Sequence, residues 1–252
     1  MAIAPKEGKS SIKALKVAKS KFGDPPCPAG FVDMGVKNAL GFPVYWRTMN
    51  LGATTVASSA STCYGNLYSW GEVETKEDYS SGKYTEAAKA INNTTNPWDK
   101  TKHDAAYKES DGAWRMPTSA EFQALYNACV GPQGYDKTTK PTGRPTNNGV
   151  YWCDNYNGVA GCLFYNGTNE LFFPAAGWSS GTSPESKGTY GNYWSSTWKS
   201  EEYAYALSFN SGSAYPQQTI TPYFGRSVRP VSDREISEGS ANPAEMEEEN
   251  VF

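Results

Sequence analysis

Apolar positions recur at helical spacing in one clear place. Thr118-Ser119-Ala120-Glu121 fits a capping box, and Pro117 bars extension backward. Phe122, Leu125, Tyr126 and Cys129 follow at i, i+3, i+4 and i+7, which predicts a helix with one buried stripe, closed by Gly131-Pro132. A weaker helix is predicted over 85–91. Elsewhere the apolar runs are short and bounded by Gly, Pro, Asn or Ser. Strands are predicted at 44–47, 68–70, 171–175, 193–197, 203–209 and 226–231. In 203–209 the odd positions Tyr203, Tyr205, Leu207 and Phe209 alternate with Ala204, Ala206 and Ser208. That period of two predicts Leu207 and Phe209 toward the core, with Ser208 and Asn210 outward; the same parity places Tyr205 on the core side. Residues 92–113 and 131–151 read as long polar loops. Few helices, short antiparallel strands and much irregular chain predict class α+β.

The 252 residues suit one large domain or two small ones, and no internal repeat is evident. The chain carries 17 Tyr, 8 Trp and 10 Phe beside a single His, which argues for a folded chain and against a multi-histidine metal site. The net charge of −3 speaks against a nucleic-acid partner. Charge is concentrated at the ends. Residues 1–22 hold six Lys against one Glu, and residues 233–252 hold seven acidic side chains against one Arg. The expected organisation is a basic arm (1–26), a ligand-binding domain (27–231) and an acidic disordered tail (232–252). In the arm, Ser10 or Ser11 caps a short helix with Ile12, Leu15, Ala18 and Phe22 on one face. It reads equally as an oligomerising segment or as a frayed, solvated one. No apolar signal-peptide core follows the lysines, and no apolar run approaches the ~20 residues that span a bilayer.

Several motifs fail on their context. Gly177-Trp178-Ser179-Ser180-Gly181 matches G-x-S-x-G, but the lone His103 lies upstream and no helix pattern follows, so a Gly/Ser turn is expected. His103 is expected to be exposed or locally hydrogen-bonded. Gly8-Lys9-Ser10 lacks the first glycine of a phosphate loop. The sequons at Asn92, Asn93 and Asn166 read as chance, and Asp99, Asp104 and Asp111 lack calcium-loop spacing. Cys27, Cys63, Cys129, Cys153 and Cys162 contain no C-x-x-C. Whether Cys153 and Cys162 bridge a hairpin or stay separate thiols is open. No cofactor and no metal are expected.

Three segments stand out together: Trp114-Arg115-Met116-Pro117 running into the capping box, Gly191-Asn192-Tyr193-Trp194-Ser195-Ser196-Thr197, and Gly225-Arg226-Ser227-Val228-Arg229-Pro230. With Phe31–Gly35, Trp46–Ala53 and Tyr68–Glu72 they resemble, in this order, the formylglycine-generating-enzyme branch of the C-type lectin fold. More closely, they are similar to the Bacteroidetes-type domains first catalogued as major paralogues in Fibrobacter, and to diversity-generating-retroelement variable proteins. The resemblance covers about residues 31–231 and implies a C-type lectin-like fold. The enzymes of that family use a late pair of cysteines, whereas the last cysteine here is Cys162. The oxygen-dependent activity is therefore not expected, and a divergent enzyme stays a lesser alternative. Read as residues alone, Arg115 is expected to fix loops through carbonyl bonds, and Trp114, Trp194 and Phe224 to be core or near-core anchors.

What remains is a surface. Of the 37 residues 190–226, six are Tyr, two Trp, six Ser, two Asn and three Gly, a paratope-like mixture of rigid rings and adaptable donors. In the proteins it resembles, the varied residues lie in this stretch. The expected function is ligand binding, with Tyr190, Trp198, Tyr203, Tyr205, Ser208, Asn210, Ser213, Tyr215, Gln217 and Tyr223 as contacts. The expected ligand is a protein or glycan on a host or neighbouring cell, bound from a phage tail or a cell surface. A plain carbohydrate-binding domain is the alternative.

Overall fold

The computed structural model describes residues 26–130, 143–145 and 150–233. The expected N-terminal arm, the loop expected at 131–151 (apart from its strand and last residues) and all but the start of the acidic tail lie outside the described residues. Four small antiparallel sheets make up the body. The first joins β1 (Phe31–Lys37), β2 (Pro43–Arg47) and β12 (Val231–Ser232), so the two ends of the domain close on one another. The second runs β3 (Gly143–Pro145), β4 (Tyr151–Tyr156), β5 (Val159–Tyr165) and β6 (Glu170–Pro174) in order. A hairpin of β7 (Trp178–Ser180) and β8 (Ser183–Glu185) precedes the third full sheet, built from β9 (Tyr190–Ser200), β10 (Tyr203–Asn210) and β11 (Ala214–Ile220) with β10 central.

This corrects the α+β, C-type lectin-like expectation: the described residues are β-rich, 38% strand against 16% helix. Two physical reasons explain the difference. First, β5, β6 and the first half of β4 are buried on both faces. Trp152, Cys162, Phe164, Leu171 and Phe173 enter one core cluster, while Tyr151, Cys153, Val159, Leu163 and Phe172 enter another. Strands covered on both sides lose the polar alternation that marks them in a sequence. Second, the helices are short. α1 (Ala60–Cys63), α2 (Glu86–Lys89), α3 (Lys100–His103) and α4 (Ala105–Glu109) are one turn each. The last two, in a segment expected to be loop, are nucleated by side-chain caps: Asp99 accepts from Thr101, and Asp104 accepts from Ala106 and Tyr107.

Among the described residues, only α5 (Ser119–Ala128) is long. Its capping box forms, with Thr118 Oγ1 accepting from Glu121 N at 3.1 Å and Glu121 Oε2 accepting from Thr118 N at 2.8 Å. Phe122, Leu125 and Tyr126 are buried against β1, β9, β10 and β11. The helix stops at Ala128, ahead of Gly131, because Val130 N donates to Tyr165 O and draws the chain onto β5.

Two arginines lock the sheets together. Arg115 places all five of its N–H groups. It forks onto Glu121 at 2.7 and 2.8 Å and onto Asp233 at 2.7 and 2.8 Å, and donates once to Met116 O. The expected carbonyl bonds are thus mostly carboxylate bonds. Arg229, fully buried, also uses all five, on Asn50 Oδ1 (2.6 and 3.0 Å) and on the carbonyls of Arg47, Thr48 and Phe172. Its guanidinium lies 4.3 Å from the Phe173 ring centroid. Asn50 in turn donates to Tyr64 O and to the Tyr193 hydroxyl, which donates to Pro174 O at 2.6 Å.

Replacing Arg229 by Met should lower stability by about 3–5 kcal/mol, because Asn50 and three carbonyls lose their donors in a dry site. Arg229→Lys should still cost at least about 2 kcal/mol, since three donors on a point charge cannot serve a five-donor cradle. Urea midpoints of both variants measure this; a lysine variant as stable as the native chain would refute the cradle's role.

Candidate functional site

The expected contact residues do not form one site, and the sheet β9–β11 shows why. Antiparallel partners share a face. The register pairs Tyr190 with Asn210, Asn192 with Ser208, Trp194 with Ala206 and Ser208 with Tyr215, so all of these lie on one side. On the other side Tyr193 pairs with Leu207, and Phe209 with Gly191 and Ala214, all under α5. A Cβ on Gly191 would sit 2.0 Å from the Phe209 ring, so glycine is required there. Along β10 the buried positions change parity: Ala204 and Ala206 join the cluster containing Trp70 and Trp194, whereas Leu207 and Phe209 join the one containing α5. The core crosses from one face to the other at residues 206–207. Tyr205 is therefore only half-buried, with the Lys199 ammonium 5.6 Å from its ring, and not in the core as strand parity implied.

A bulge in β9 accompanies this crossing. Ala204 pairs with Trp198 but Ala206 with Trp194, which leaves two extra residues in β9. Those residues dock sideways. Ser196 N donates to Pro117 O, and Thr197 Oγ1 accepts from Ser119 N at the start of α5. The bulge re-aims Trp198 so that its ring packs, partly buried, against the cluster of Trp70 and Tyr84.

Three groups of candidates result. Trp198, Tyr203 and Tyr223 gather at one end of the sheet, where a cleft of about 390 Å³ is lined by Tyr84, Lys89, Glu201, Glu202, Tyr203 and Tyr223, with Trp198 beside it. Tyr190, Ser208, Asn210 and Tyr215 occupy the far end of the same sheet, Tyr190 39% and Tyr215 48% exposed. There Asn210 is committed to the β10–β11 turn, its Oδ1 accepting from Gly212 N and Ser213 N. Ser213 belongs to that turn. Gln217 donates to Ser119 O at 3.4 Å and so faces α5.

The first two groups are joined by residues that sequence reasoning placed elsewhere or did not single out. Tyr223 meets the Phe224 ring at 4.7 Å. Phe224 lies 5.7 Å from the Arg226 guanidinium, Arg226 lies 5.6 Å from the Trp178 ring, and Trp178 meets Tyr190 edge-on at 5.8 Å. Phe224 and Trp178 are half-exposed, so of the core or near-core place expected of Phe224 only the second fits. Trp114 is near-core as expected, half-buried against the cluster of Trp70 and Trp194 with the Arg47 guanidinium 4.2 Å from its ring, and Trp194 is fully buried. The signal for Trp178 was present in the Gly177–Gly181 match, whose structure is the β7–β8 hairpin. Its Ser179 is buried, with the hydroxyl donating to Ser183 O at 3.2 Å.

A second, larger cavity of about 560 Å³ is lined by Asp104, Arg115, Glu121, Asp233 and Trp98. Its carboxylates are engaged. Glu121 and Asp233 hold Arg115, and Asp104 accepts from the amides of Ala106, Tyr107 and Met116. His103 is buried, its Nδ1 accepting from Asp99 N, and burial pulls its pKa down. Among the described residues no group of three His, Cys, Asp or Glu is placed to hold a metal ion. All five cysteines are free thiols. Cys153 and Cys162 lie on adjacent strands but face different core clusters, which settles the hairpin bridge against pairing. No helix among the described residues is long and apolar enough to cross a membrane.

Compared with known proteins, residues 147–231 match a family described as a domain of unknown function (DUF8237). That stretch runs from β4 to β12 and contains the aromatic run and β9–β11. No curated protein and no solved structure matches the chain.

Burial pushes the Asp104 carboxyl up to about 6, against the three amide bonds that favour its anion. A raised acid pKa in the folded state means stability is greatest below the unfolded value near 4 and declines as pH rises through about 6. Asp104→Asn should flatten that decline. Urea midpoints between pH 4 and 7 test it, and an unchanged slope would exclude Asp104 as its source.

Proposed function

We propose that this chain is a binding protein that recognises its ligand through the outer side of β9–β11 and the loops beside it. The observation that carries this reading is two solvent-facing ring pairs, Tyr190 with Trp178 and Phe224 with Tyr223, joined through the Arg226 guanidinium that Trp178 and Phe224 both border. The run ends at the cleft that Tyr203 and Tyr223 both line. Large rigid rings give contact area at low entropic cost, and a contiguous set of them on a soluble surface is the usual mark of a recognition site. The resemblance of 191–197 and 225–230 to retroelement variable proteins supports the same reading, since both segments border this surface. On that view the ligand is a protein or glycan presented by another cell, met from a phage tail or a cell surface. A glycan is favoured at the cleft itself, where Tyr203 and Tyr223 offer ring faces and Glu201 and Glu202 offer acceptors.

The double variant Trp178→Ala/Tyr223→Ala tests this against hits from a protein-display screen and a glycan array. Affinity should fall at least about 30-fold, the loss of roughly 2 kcal/mol expected for aromatic hot spots. Tyr205→Ala/Gln217→Ala, on residues outside the run, should leave it within about twofold. Equal binding by the Trp178/Tyr223 variant would sink the assignment.

A further inference from the structure

The fold treats its late arginines unequally. Arg229 satisfies every N–H, as does Arg115, but the Arg226 side chain donates to no group among the described residues. It is 5% exposed, its Nε is occluded without a partner, and burial acts on it with no neighbouring charge to offset it. Three rings surround the guanidinium, with centroids at 5.3 Å (Trp194), 5.6 Å (Trp178) and 5.7 Å (Phe224). Such contacts return less than removing an ion from water costs.

A second orphan lies beside it. Asn192 is 4% exposed and its Nδ2 has no acceptor. Tyr193 and Ser227 form a parallel bridge, so the preceding residues, Asn192 and Arg226, are neighbours on the opposite face, the one that carries Tyr190 and Ser208. Ser227 Oγ, also unpartnered, follows Tyr193 to the other side and takes no part. Both orphans on the outer face are donors. What the site lacks is an acceptor, and the position of Arg226 is the middle of the aromatic run.

We propose that Arg226 and Asn192 form a carboxylate subsite within the binding surface, so that the ligand carries an acidic group flanked by parts that pack on rings. This rests on the ligand-binding reading above. A guanidinium bordered by ring faces keeps its planar edge for a planar, forked acceptor, which a carboxylate matches. The Asn192 amide supplies a further donor. Trp178 and Phe224, two of the rings around it, are only half-buried, so the guanidinium lies beside solvent-facing parts of the surface.

The test is a side-chain NMR titration of the ¹⁵N-labelled full chain with sodium acetate, against sodium chloride at equal ionic strength. The Arg226 Nε–H resonance, assigned by its absence in Arg226→Lys, should shift saturably with acetate and not with chloride. Asn192→Ala should weaken acetate about tenfold, the value of one bond to a charged group. That variant carries the test if Arg226→Lys does not fold. Glucuronate and N-acetylglutamate amide as further probes separate an acidic sugar from a peptide carboxylate: the source bound more tightly than acetate is the one selected. Equal shifts in acetate and chloride overturn the subsite. Neutral ligands that need Trp178 and Tyr223 but bind Arg226→Lys as well as the native chain overturn it too, while leaving the surface intact. An acetate shift with no ligand dependent on Trp178 and Tyr223 does the reverse.

Discussion

Everything in this fold hangs on one buried charge without a counter-ion. Arg229 is held by carbonyl and amide oxygens alone, drawn from residues 47, 48, 50 and 172. Those residues come from the end of β2, the loop after it and β6, so a single side chain fixes the first sheet against the second. Asn50 passes the constraint on to Tyr193 and so to β9. Burial lowers the guanidinium pKa to about 10, which still leaves it charged at neutral pH. A cation in that position tolerates no misplacement of its acceptors, because a lost bond there exposes a desolvated donor. Small sheets with little helix to brace them gain their fixed arrangement from this hub and from Arg115, which ties α5 to the chain after β12.

On that frame, the recognition surface is a consequence of where the core stops. The core changes faces at residues 206–207, and the β9 bulge opposite that point swings Trp198 toward the cleft. Past the crossing, the outer face holds Tyr190, Asn192 and Ser208, with the β7–β8 hairpin beside it. The hairpin contributes Trp178, and the segment after β11 contributes Tyr223, Phe224 and Arg226. Three separate stretches thus build one surface. Arg226 sits at their junction, and its lack of partners contrasts with the saturation of Arg115 and Arg229 in the same scaffold.

The sequence carried α5 almost completely: cap, buried stripe and start are local features, set by hydrogen bonds three residues apart. It carried β10 and the cores of β2, β6 and β9, whose aromatic and branched residues are bounded by turn formers. It did not carry β1, β4, β5 or β11, nor the β-rich character of the whole. Doubly buried strands read as featureless apolar runs, and β11, with Pro216 and two glutamines, reads as loop. Of the ten expected contacts, Tyr190, Trp198, Tyr203 and Tyr223 lie on the aromatic run or at its cleft. Tyr205 and Gln217 do not, and Asn210 and Ser213 are spent on a turn. Composition marked the right region but could not tell which residues face together.

The amino-acid sequence by itself determined the aromatic-rich C-terminal stretch, the helix that backs it and the absence of a late cysteine pair, because each depends on residue type or short spacing. Only the tertiary structure decided that Trp178 and Phe224 belong to the surface, that Arg226 is left without an acceptor, and that Cys153 and Cys162 face apart. Those outcomes depend on register, on a bulge and on which face of a strand the core covers. Such features are fixed by packing between segments far apart in the chain, and no local pattern encodes them.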